Sequence, residues 1–273
     1  MGSSWPRIVF CDMDDTFLGH DKHVPPANRA LLDVLHVRGV PFVPCTGRPV
    51  SAVPDEVLDH PATQFAIGAN GAVVHDVRSD RRLCVRGISK QAVLSLYDRV
   101  GGIHTTFDVF ADGEVFSERV RYDAMGTYGI DVPCLEMLRR VRQPVDLSVP
   151  QIVQRVGVVE KITCFWHTQE DRERLIEVID QEPLLSRSSG HPKNFELQAA
   201  GVCKGSALTW LCAHLGIDVA HAVAFGDAPN DVSMLLAAGD GVAMANAHPQ
   251  VLAVANHVAS DCNDAGVARY LIV

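Results

Sequence analysis

The sequence predicts an α/β protein whose core is a doubly wound parallel sheet, interrupted by an inserted α+β domain. Short apolar runs alternate with helical patterns at both ends of the chain, as in parallel sheets. From about residue 80 to 190, hairpin signals mix with helices instead. We therefore expect a core domain of residues 1–82 and 191–273, and a second domain of residues 83–190.

The first part of the core is predicted from three short apolar runs, each ending in a polar turn. Residues 8–11, 40–45 and 65–67 read as strands buried on both faces. Helices are expected between them, one opened by Pro25 and Pro26 and closed by Gly39, the other over residues 50–58. Ligands bind beyond the carboxyl ends of such strands.

The remaining elements follow in chain order. In the insertion we expect a hairpin turn or linker at 80–82, helices at 89–100, 119–142 and 169–180, a hairpin at 109–116 and a strand at 161–166. After it we expect helices at 204–215, 232–238, 248–254 and 266–271, and strands at 222–225, 241–244 and 257–258.

Composition and charge exclude several classes of function. Apolar residues make up 47% and charged residues 21%, as is ordinary for a globular protein. The net charge of −9, with residues 139–142 as the densest basic stretch, argues against a nucleic-acid partner. No apolar stretch is long enough to cross a bilayer, residues 1–5 lack a signal-peptide core, and Pro6 argues against myristoylation. We expect a cytoplasmic protein without a membrane partner.

The eight cysteines show no Cys-x-x-Cys spacing, and most lie in apolar runs. This pattern predicts reduced, buried thiols in a reducing compartment, not zinc ligands or a disulfide framework.

Asp12 and Asp14 follow the first strand directly. In an extended chain their Cα atoms lie about 6–7 Å apart and their side chains lean to one side. Two such acids repel each other unless a cation or a shared proton lies between them, and a hard divalent ion such as Mg²⁺ suits carboxylate oxygens. The alternative is an acidic turn in which Asp and Thr cap a helix.

Three further polar groups are expected at the same edge of the sheet. Thr46 and Gly47 could let an anion approach the backbone, although a cap and a turn would explain them too. Lys204 begins a helix, where a cation and free N–H groups meet an anion, although it could be solvated. The stretch 226–231 contains Asp227, Asn230 and Asp231; two carboxylates here and two at the first strand can share one Mg²⁺.

These motifs together resemble the haloacid dehalogenase (HAD) superfamily of aspartate-dependent phosphatases, most closely its Cof-type members of subclass IIB. The resemblance covers nearly the whole chain and rests on residues 12–16 (Asp-Met-Asp-Asp-Thr), 46–48 (Thr-Gly-Arg), 70–72 (Asn-Gly-Ala), 201–205 (Gly-Val-Cys-Lys-Gly), 226–231 (Gly-Asp-Ala-Pro-Asn-Asp) and 241–247 (Gly-Val-Ala-Met-Ala-Asn-Ala). It implies a Rossmann-like core with residues 83–190 as a cap that excludes water and chooses the leaving group.

The resemblance also implies a role for each motif residue. Asp12 would attack phosphorus and form an aspartyl-phosphate, while Asp14 would serve as general acid and base. Asp12, Asp227, the backbone carbonyl of Asp14 and, directly or through water, Asp231 would hold Mg²⁺. The phosphate would be held by Thr46, Lys204 and Asn230. The residues expected to face the substrate are Arg48 and Asn70, with Gly47 leaving room for it.

Two positions depart from the family pattern. Asp15 stands where Gly is commonest, and Cys203 where Ser is frequent before the lysine. Neither removes a residue that the chemistry needs. Cys11 and Cys45 lie beside catalytic positions, but neither has an evident base to activate a thiol.

The function that this implies is a Mg²⁺-dependent phosphatase acting on a small phosphomonoester, with sugar phosphates first. A phosphomutase of the same superfamily would use the same aspartates. A receiver-like phospho-acceptor also gathers Asp, Thr and Lys around Mg²⁺, but its acceptor normally lies on a later strand and it has no insertion. The sequence leaves the oligomeric state open.

Overall fold

A computed structural model of the chain describes residues 5–272. These residues form two compact units: the parallel-sheet unit, residues 5–84 and 203–272, and the inserted unit, residues 85–202. The first division lies near the predicted residue 82, but the second lies at 202 instead of 190, because residues 194–199 pair with the inserted unit's sheet. The expectations on a signal peptide and on myristoylation concern the first six residues, of which residues 1–4 lie outside the described range.

The helices and strands fall into three stretches of the chain. The first stretch contains β1 (Ile8–Asp12), α1 (Pro26–Val37), β2 (Phe42–Cys45), α2 (Asp55–Leu58), β3 (Phe65–Gly68), β4 (Val73–Asp76) and β5 (Arg81–Val85). The inserted unit contains α3 (Lys90–Val100), β6 (Asp108–Ala111), β7 (Glu114–Glu118), α4 (Arg119–Asp123), α5 (Val132–Val141), β8 (Gln143–Val145), α6 (Val149–Arg155), β9 (Val159–Phe165), α7 (Gln169–Ile179), β10 (Leu185–Ser188) and β11 (Asn194–Ala199). The last stretch contains α8 (Lys204–Leu215), β12 (Ala222–Gly226), α9 (Val232–Ala237), β13 (Asp240–Met244), α10 (Pro249–Leu252), β14 (His257–Ala259) and α11 (Gly266–Ile272).

The parallel-sheet unit is built on one eight-stranded sheet in the order β14-β13-β12-β1-β2-β3-β4-β5. The strands from β14 to β3 run parallel, and β4 runs antiparallel to β3. β1 lies between β12 and β2, and its residues from Ile8 to Cys11 are fully buried. This burial explains the continuous apolar run, because a central parallel strand has no face toward water. The predicted α/β class with a parallel core is confirmed.

Two local predictions in this unit are wrong. The helix expected over residues 50–58 is a 3₁₀ turn, Val50–Ala52, followed by α2, because Pro54 has no N–H to continue a helix. β4 and β5 extend the sheet where we expected only a turn or linker at 80–82. Only Val73 and Val74 of β4 are buried and no residue of β5 is, so both strands lack the long apolar run that marked the others.

The inserted unit contains a six-stranded sheet in the order β10-β11-β9-β6-β7-β8. The Asp112-Gly113 turn joins β6 and β7 as predicted, with φ of +55° and +87°. Arg142, in the basic stretch 139–142, is buried and its Nε donates to Asp108 Oδ2 at 2.8 Å. One end of that stretch therefore belongs to the interior. Within residues 5–272, no helix has both the length and the apolarity that a membrane span requires.

Candidate active site

The carboxyl end of β1 delivers the first two aspartates. Asp12 is the last residue of the strand and is 7% exposed. The chain then turns sharply, with Asp14 extended (φ −71°, ψ 125°) and Asp15 in the left-handed region (φ 59°, ψ 18°). Left-handed backbone favours glycine and tolerates Asp better than most other residues. The left-handed backbone is a physical reason for the Gly that is commonest at position 15 in the family that the sequence resembles. Asp15 fits here because Asp tolerates this conformation.

The neighbouring strand β12 delivers the second acidic pair. β12 runs parallel to β1, with Cys11 opposite Phe225, so both strands end at the same edge. Asp231 Oδ2 accepts hydrogen bonds from the backbone N–H groups of Asp227 at 3.1 Å and Ala228 at 3.0 Å. A Cβ at Gly226 would lie 2.4 Å from the Cβ of Asp231. The bare glycine therefore lets this loop fold back on the strand end.

Lys204 lies between the two acidic strand ends. It is the first residue of α8, it is fully buried, and its Nζ lies 2.5 Å from Asp12 Oδ1 and 2.6 Å from Asp231 Oδ1. The start of α8 can come this close because Gly205 packs against the backbone of Ser233, where a Cβ would meet the carbonyl oxygen at 2.1 Å. Lys204 thus ties β1 to the loop after β12.

One lysine does not balance the acidic charge around it. Asp12, Asp227 and Asp231 each offer a carboxylate oxygen within 4.8 Å of the others. Burial, and then Asp231, raise the pKa of Asp12 well above its ordinary value and that of Asp227 to about 7. Burial opposes the charge on Lys204, but Asp12 and Asp231 outweigh it and raise its pKa. Three hard oxygen donors with excess negative charge fit a divalent cation such as Mg²⁺.

Thr16 is a site residue to which the sequence alone assigned no role. It is fully buried, and its hydroxyl donates to Asp227 Oδ1 at 2.8 Å. This bond orients the Asp227 carboxylate and lowers its pKa against the effect of burial. In the sequence, the indication of this role was the position of Thr16 in the motif of residues 12–16.

The end of β2 brings the second motif beside β1. Asp12 lies opposite Cys45 in the parallel register, so Thr46 follows immediately at the sheet edge. Thr46 Oγ1 accepts the backbone N–H of Arg48 at 3.0 Å across Gly47, which leaves its hydroxyl proton free to donate to a ligand. The Arg48 guanidinium forms an ion pair with the Asp14 carboxylate. We expected Arg48 to face the substrate; in the structure it holds Asp14.

Asn70 and Asn230 contact each other instead of lying separately. Asn230 Nδ2 donates to Asn70 Oδ1 at 3.2 Å, and the backbone N–H of Asn70 donates to Thr46 O at 3.1 Å. Asn70 is 2% exposed and has φ of +55°, next to Ala69 with +49°. Consecutive non-glycine residues in this region are strained, and such strain concentrates at functional sites. Asn70 is thus a candidate for holding Asn230 in place.

The neighbouring thiols do not compete as nucleophiles. Cys11 and Cys45 are fully buried, and burial raises the pKa of both thiols well above the ordinary value. A thiol is nucleophilic as its thiolate, so neither is suited to attack phosphorus. All eight cysteines are free; five of them are buried, and Cys84, Cys134 and Cys203 are half-buried.

Comparison with known proteins decides the family. The sequence model of the haloacid dehalogenase-like hydrolases matches residues 9–271. The chain belongs to this family. The chain is 28% identical to YxeH of Bacillus subtilis, which is named as a phosphatase, over 96% of each protein. It is 29% identical to the HMP-PP phosphatase of Cronobacter sakazakii, over 97% of this chain and 94% of the relative.

Solved structures agree with this assignment. A haloacid dehalogenase-like hydrolase from B. subtilis superposes with a TM-score of 0.84 at 25% identity, over 97% of this chain and 99% of that one. The subclass IIB sugar phosphatase BT4131 superposes with a TM-score of 0.82 at 21% identity, over 97% and 98%, which supports the fold. The predicted Cof-type HAD family and the predicted enzyme class, phosphoric monoester hydrolase, are confirmed.

Proposed function

We propose that this protein is a Mg²⁺-dependent phosphatase that hydrolyses a small phosphomonoester, most readily a sugar phosphate, through an aspartyl-phosphate on Asp12. The observation that carries the proposal is the position of Lys204, shared between Asp12 and Asp231 with Asp227 beside them. A buried cluster with more carboxylates than cations is costly to fold and is typical of a catalytic site. Asp12, Asp227, Asp231 and the Asp14 carbonyl would hold the metal.

In the first step, Asp12 attacks phosphorus and the bond from phosphorus to the leaving oxygen breaks. Lys204 contacts the attacking carboxylate, so it orients Asp12 and is placed to attract a phosphate oxygen. Asp14 gives its proton to the leaving oxygen, which prevents the build-up of alkoxide charge. When bound, Mg²⁺ would supply positive charge that offsets the repulsion between the anionic nucleophile and the phosphate.

In the second step, Asp14 takes a proton from water as that water attacks the phosphoryl group on Asp12. The bond between the Asp12 oxygen and phosphorus breaks, which restores the carboxylate and releases inorganic phosphate. The Arg48 guanidinium contacts the Asp14 side chain, so it would hold Asp14 by a hydrogen bond while Asp14 is protonated and by an ion pair once Asp14 has given up its proton. Thr46 and Asn230 would donate hydrogen bonds to the phosphoryl oxygens.

The choice of substrate is proposed at the level of class. Sugar phosphates come first, since a protein with the same fold is named a sugar phosphatase. Two relatives carry the name HMP-PP phosphatase, so a diphosphate ester belongs among the candidates to be tested. The role of the inserted unit as a cap that selects the leaving group stays a prediction, as does the cytoplasmic location.

The experiment is phosphate release from a panel of sugar phosphates, other small phosphomonoesters and a diphosphate ester, with Mg²⁺ or with EDTA. We expect turnover with Mg²⁺ that is lost in EDTA and in Asp12→Asn. Asp59→Asn, the same change at an exposed position, is the matched control and should keep wild-type turnover. Turnover that survives in EDTA or in Asp12→Asn would contradict the proposal. No turnover by the folded, Mg²⁺-loaded wild type would favour a phosphomutase.

A further inference from the structure

A second cluster of potential metal ligands lies in the parallel-sheet unit beside the catalytic turn. Asp15, His20 and Cys262 each offer one donor atom, and the three atoms lie within 4.8 Å of one another. The cysteine and the histidine are 242 positions apart in the sequence. Spacing along the chain argued against zinc ligands, but only the fold shows that these three residues meet.

The distances between the donor atoms suit a tetrahedral ion. The Cys262 sulfur lies 3.8 Å from His20 Nδ1 and 3.9 Å from Nε2, and His20 Nδ1 lies 2.9 Å from Asp15 Oδ1. Bonds of about 2.3 Å to sulfur and about 2.1 Å to nitrogen or oxygen place tetrahedral donors about 3.4–3.6 Å apart. The separation of sulfur from nitrogen exceeds this by a few tenths of an ångström, and that of nitrogen from oxygen is about half an ångström short, so small side-chain movements would bring these donors to one ion.

The types of donor select the metal. A thiolate, an imidazole and a carboxylate form a borderline-soft set that suits Zn²⁺ and not Mg²⁺. His20 is 54% exposed and Asp15 34%, so an ion can enter from solvent, while Cys262 lies buried beneath them. Three protein ligands would leave one position for water.

Hydrogen bonds from neighbouring side chains also hold the backbones of the three ligand residues. Asn246 Nδ2 donates to Asp15 O at 2.8 Å, and Asn246 Oδ1 accepts the backbone N–H of Cys262 at 3.0 Å. Asn263 Oδ1 accepts the backbone N–H of His20 at 3.1 Å. These bonds hold the backbones of all three ligands at fixed spacing, which reduces the entropy lost when an ion binds.

A similar trio in the inserted unit provides a contrast. Asp131, Cys134 and His191 also lie close together. However, His191 Nδ1 accepts the backbone N–H of Lys193 at 3.1 Å, so the ring proton is on Nε2, which contacts Asp131 at 3.1 Å. Neither nitrogen then has a lone pair for a metal. Within residues 5–272, the His20 ring nitrogens contact only the carboxylate of Asp15 and the sulfur of Cys262.

We propose that Asp15, His20 and Cys262 form a binding site for Zn²⁺ next to the catalytic turn. Binding forms a bond from zinc to the Cys262 sulfur and releases the thiol proton to water. Zinc would take the Asp15 oxygen that Lys22 Nζ contacts at 2.9 Å. Lys22 Nζ also lies 3.6 Å from Asp14 Oδ1. Occupancy therefore alters the charge around Asp14 and, provided that the proposed function holds, would change the rate of phosphate release.

The test measures binding directly, without turnover. Co²⁺ is added to the folded protein in excess Mg²⁺, and the charge-transfer band of thiolate-bound cobalt is recorded; Zn²⁺ affinity is measured by competition with a chromogenic chelator. We expect one equivalent of Co²⁺ with a thiolate band. The band should be lost in Cys262→Ala and kept in Cys134→Ala, the matched control. His20→Ala, at an exposed position, should weaken Zn²⁺ binding at least about tenfold.

The outcomes separate this proposal from the proposed function. No thiolate band in folded wild type, a band that persists in Cys262→Ala, or a band lost in Cys134→Ala would overturn the site. If Cys262→Ala does not fold, the test uses His20→Ala instead. A Zn²⁺ affinity of His20→Ala equal to that of wild type would then overturn the site. Because binding is measured without substrate, an inactive protein that binds zinc would refute only the phosphatase.

Discussion

Lys204 in the parallel-sheet unit and Lys161 in the inserted unit are 0% and 1% exposed, but their electrostatic surroundings differ. Lys161, on β9, pairs with Glu196 on the adjacent strand β11 at 2.6 Å, and its ammonium group lies 4.2 Å from the centre of the Phe110 ring. Lys204 is shared by Asp12 and Asp231, with Asp227 close to both. Lys161 pairs with Glu196 in the middle of a sheet, whereas Lys204 lies in a cluster of carboxylates at the strand ends.

The difference distinguishes a buried charge that serves the structure from one that serves a function. A buried ion pair on adjacent strands can be replaced by apolar residues of similar size with little loss of stability. Burial, together with the excess negative charge of the cluster, raises the pKa of Asp12 and Asp227 and destabilises the metal-free fold. Such a cluster persists where a cation or substrate makes use of it. We therefore predict a catalytic role for Lys204 and a structural role for Lys161.

The largest expected effect is on kcat, and it distinguishes Lys204 from Lys161. Lys204→Met should lower kcat by about 10²–10³-fold, because the attacking carboxylate loses its positioning cation. Lys161→Met should keep kcat within about twofold but cost about 3–5 kcal/mol of stability, because Glu196 is left buried without that partner. Phosphate release and urea denaturation measure the two effects.

The control for that comparison removes both partners of the structural pair. Lys161→Met combined with Glu196→Leu should recover most of the stability that Lys161→Met loses, since no buried charge is left unpaired. A loss of kcat in Lys161→Met comparable to that of Lys204→Met would show that the two sites do not differ in function.

A smaller expected effect is the pH dependence that Asp227 gives to the free energy of unfolding. Folding raises the pKa of Asp227 from 3.8 to about 7, first through burial and then through Asp231. Between these values the folded protein binds more protons than the unfolded chain, so this group's contribution to stability falls as pH rises from about 4 to 7. In EDTA, the free energy of unfolding should therefore fall with pH more steeply for wild type than for Asp227→Asn.

Excess Mg²⁺ should oppose that fall near pH 7 by binding the folded form. At a concentration of 100 times Kd, Mg²⁺ would add about 2.7 kcal/mol to the free energy of unfolding of wild type and much less to that of Asp227→Asn. Thermal unfolding with and without Mg²⁺ checks the result. An identical response of the two proteins to Mg²⁺ would remove Asp227 from the metal site.

The smallest expected effect is that of Thr16→Val. The change removes the hydrogen bond to Asp227 Oδ1 while keeping the shape of the side chain. Loss of such an orienting bond should raise the Mg²⁺ concentration for half-maximal activity about tenfold. Thr63→Val is the matched control: Thr63 is equally buried, and its hydroxyl has no hydrogen-bond partner among residues 5–272. An equal effect in both variants would make the Thr16 result a packing effect.

The sequence predicted where three carboxylates of the site would meet, because Asp12, Asp227 and Asp231 lie at or just after the ends of neighbouring parallel strands; Lys204 was predicted separately, from its position at the start of a helix. The four residues meet at one sheet edge, although their catalytic roles stay predictions. The pairing of Arg48 with Asp14 and the bond from Thr16 to Asp227 depend on side-chain directions within tight turns, and no periodicity encodes these.

The fold was predicted less well where strands are exposed or short. β4 and β5 lie at one end of the sheet and are partly open to water, so they lack a continuous apolar run. β11 was missed although it is mostly buried, because Glu196 and Gln198 interrupt its apolar pattern. Glu196 is the partner of Lys161, a pairing that only the folded register of β9 and β11 makes visible.

The most direct test of the account is to locate the phosphoryl group during turnover. Wild-type protein is mixed with Mg²⁺ and its best substrate, quenched in acid within one turnover, digested and mapped by mass spectrometry. We expect a phosphoryl group on Asp12, absent from Asp12→Asn and present in Lys161→Met. A phosphoryl group on Asp14 or on another side chain, or product formed with no phosphorylated peptide at any time point, would contradict it.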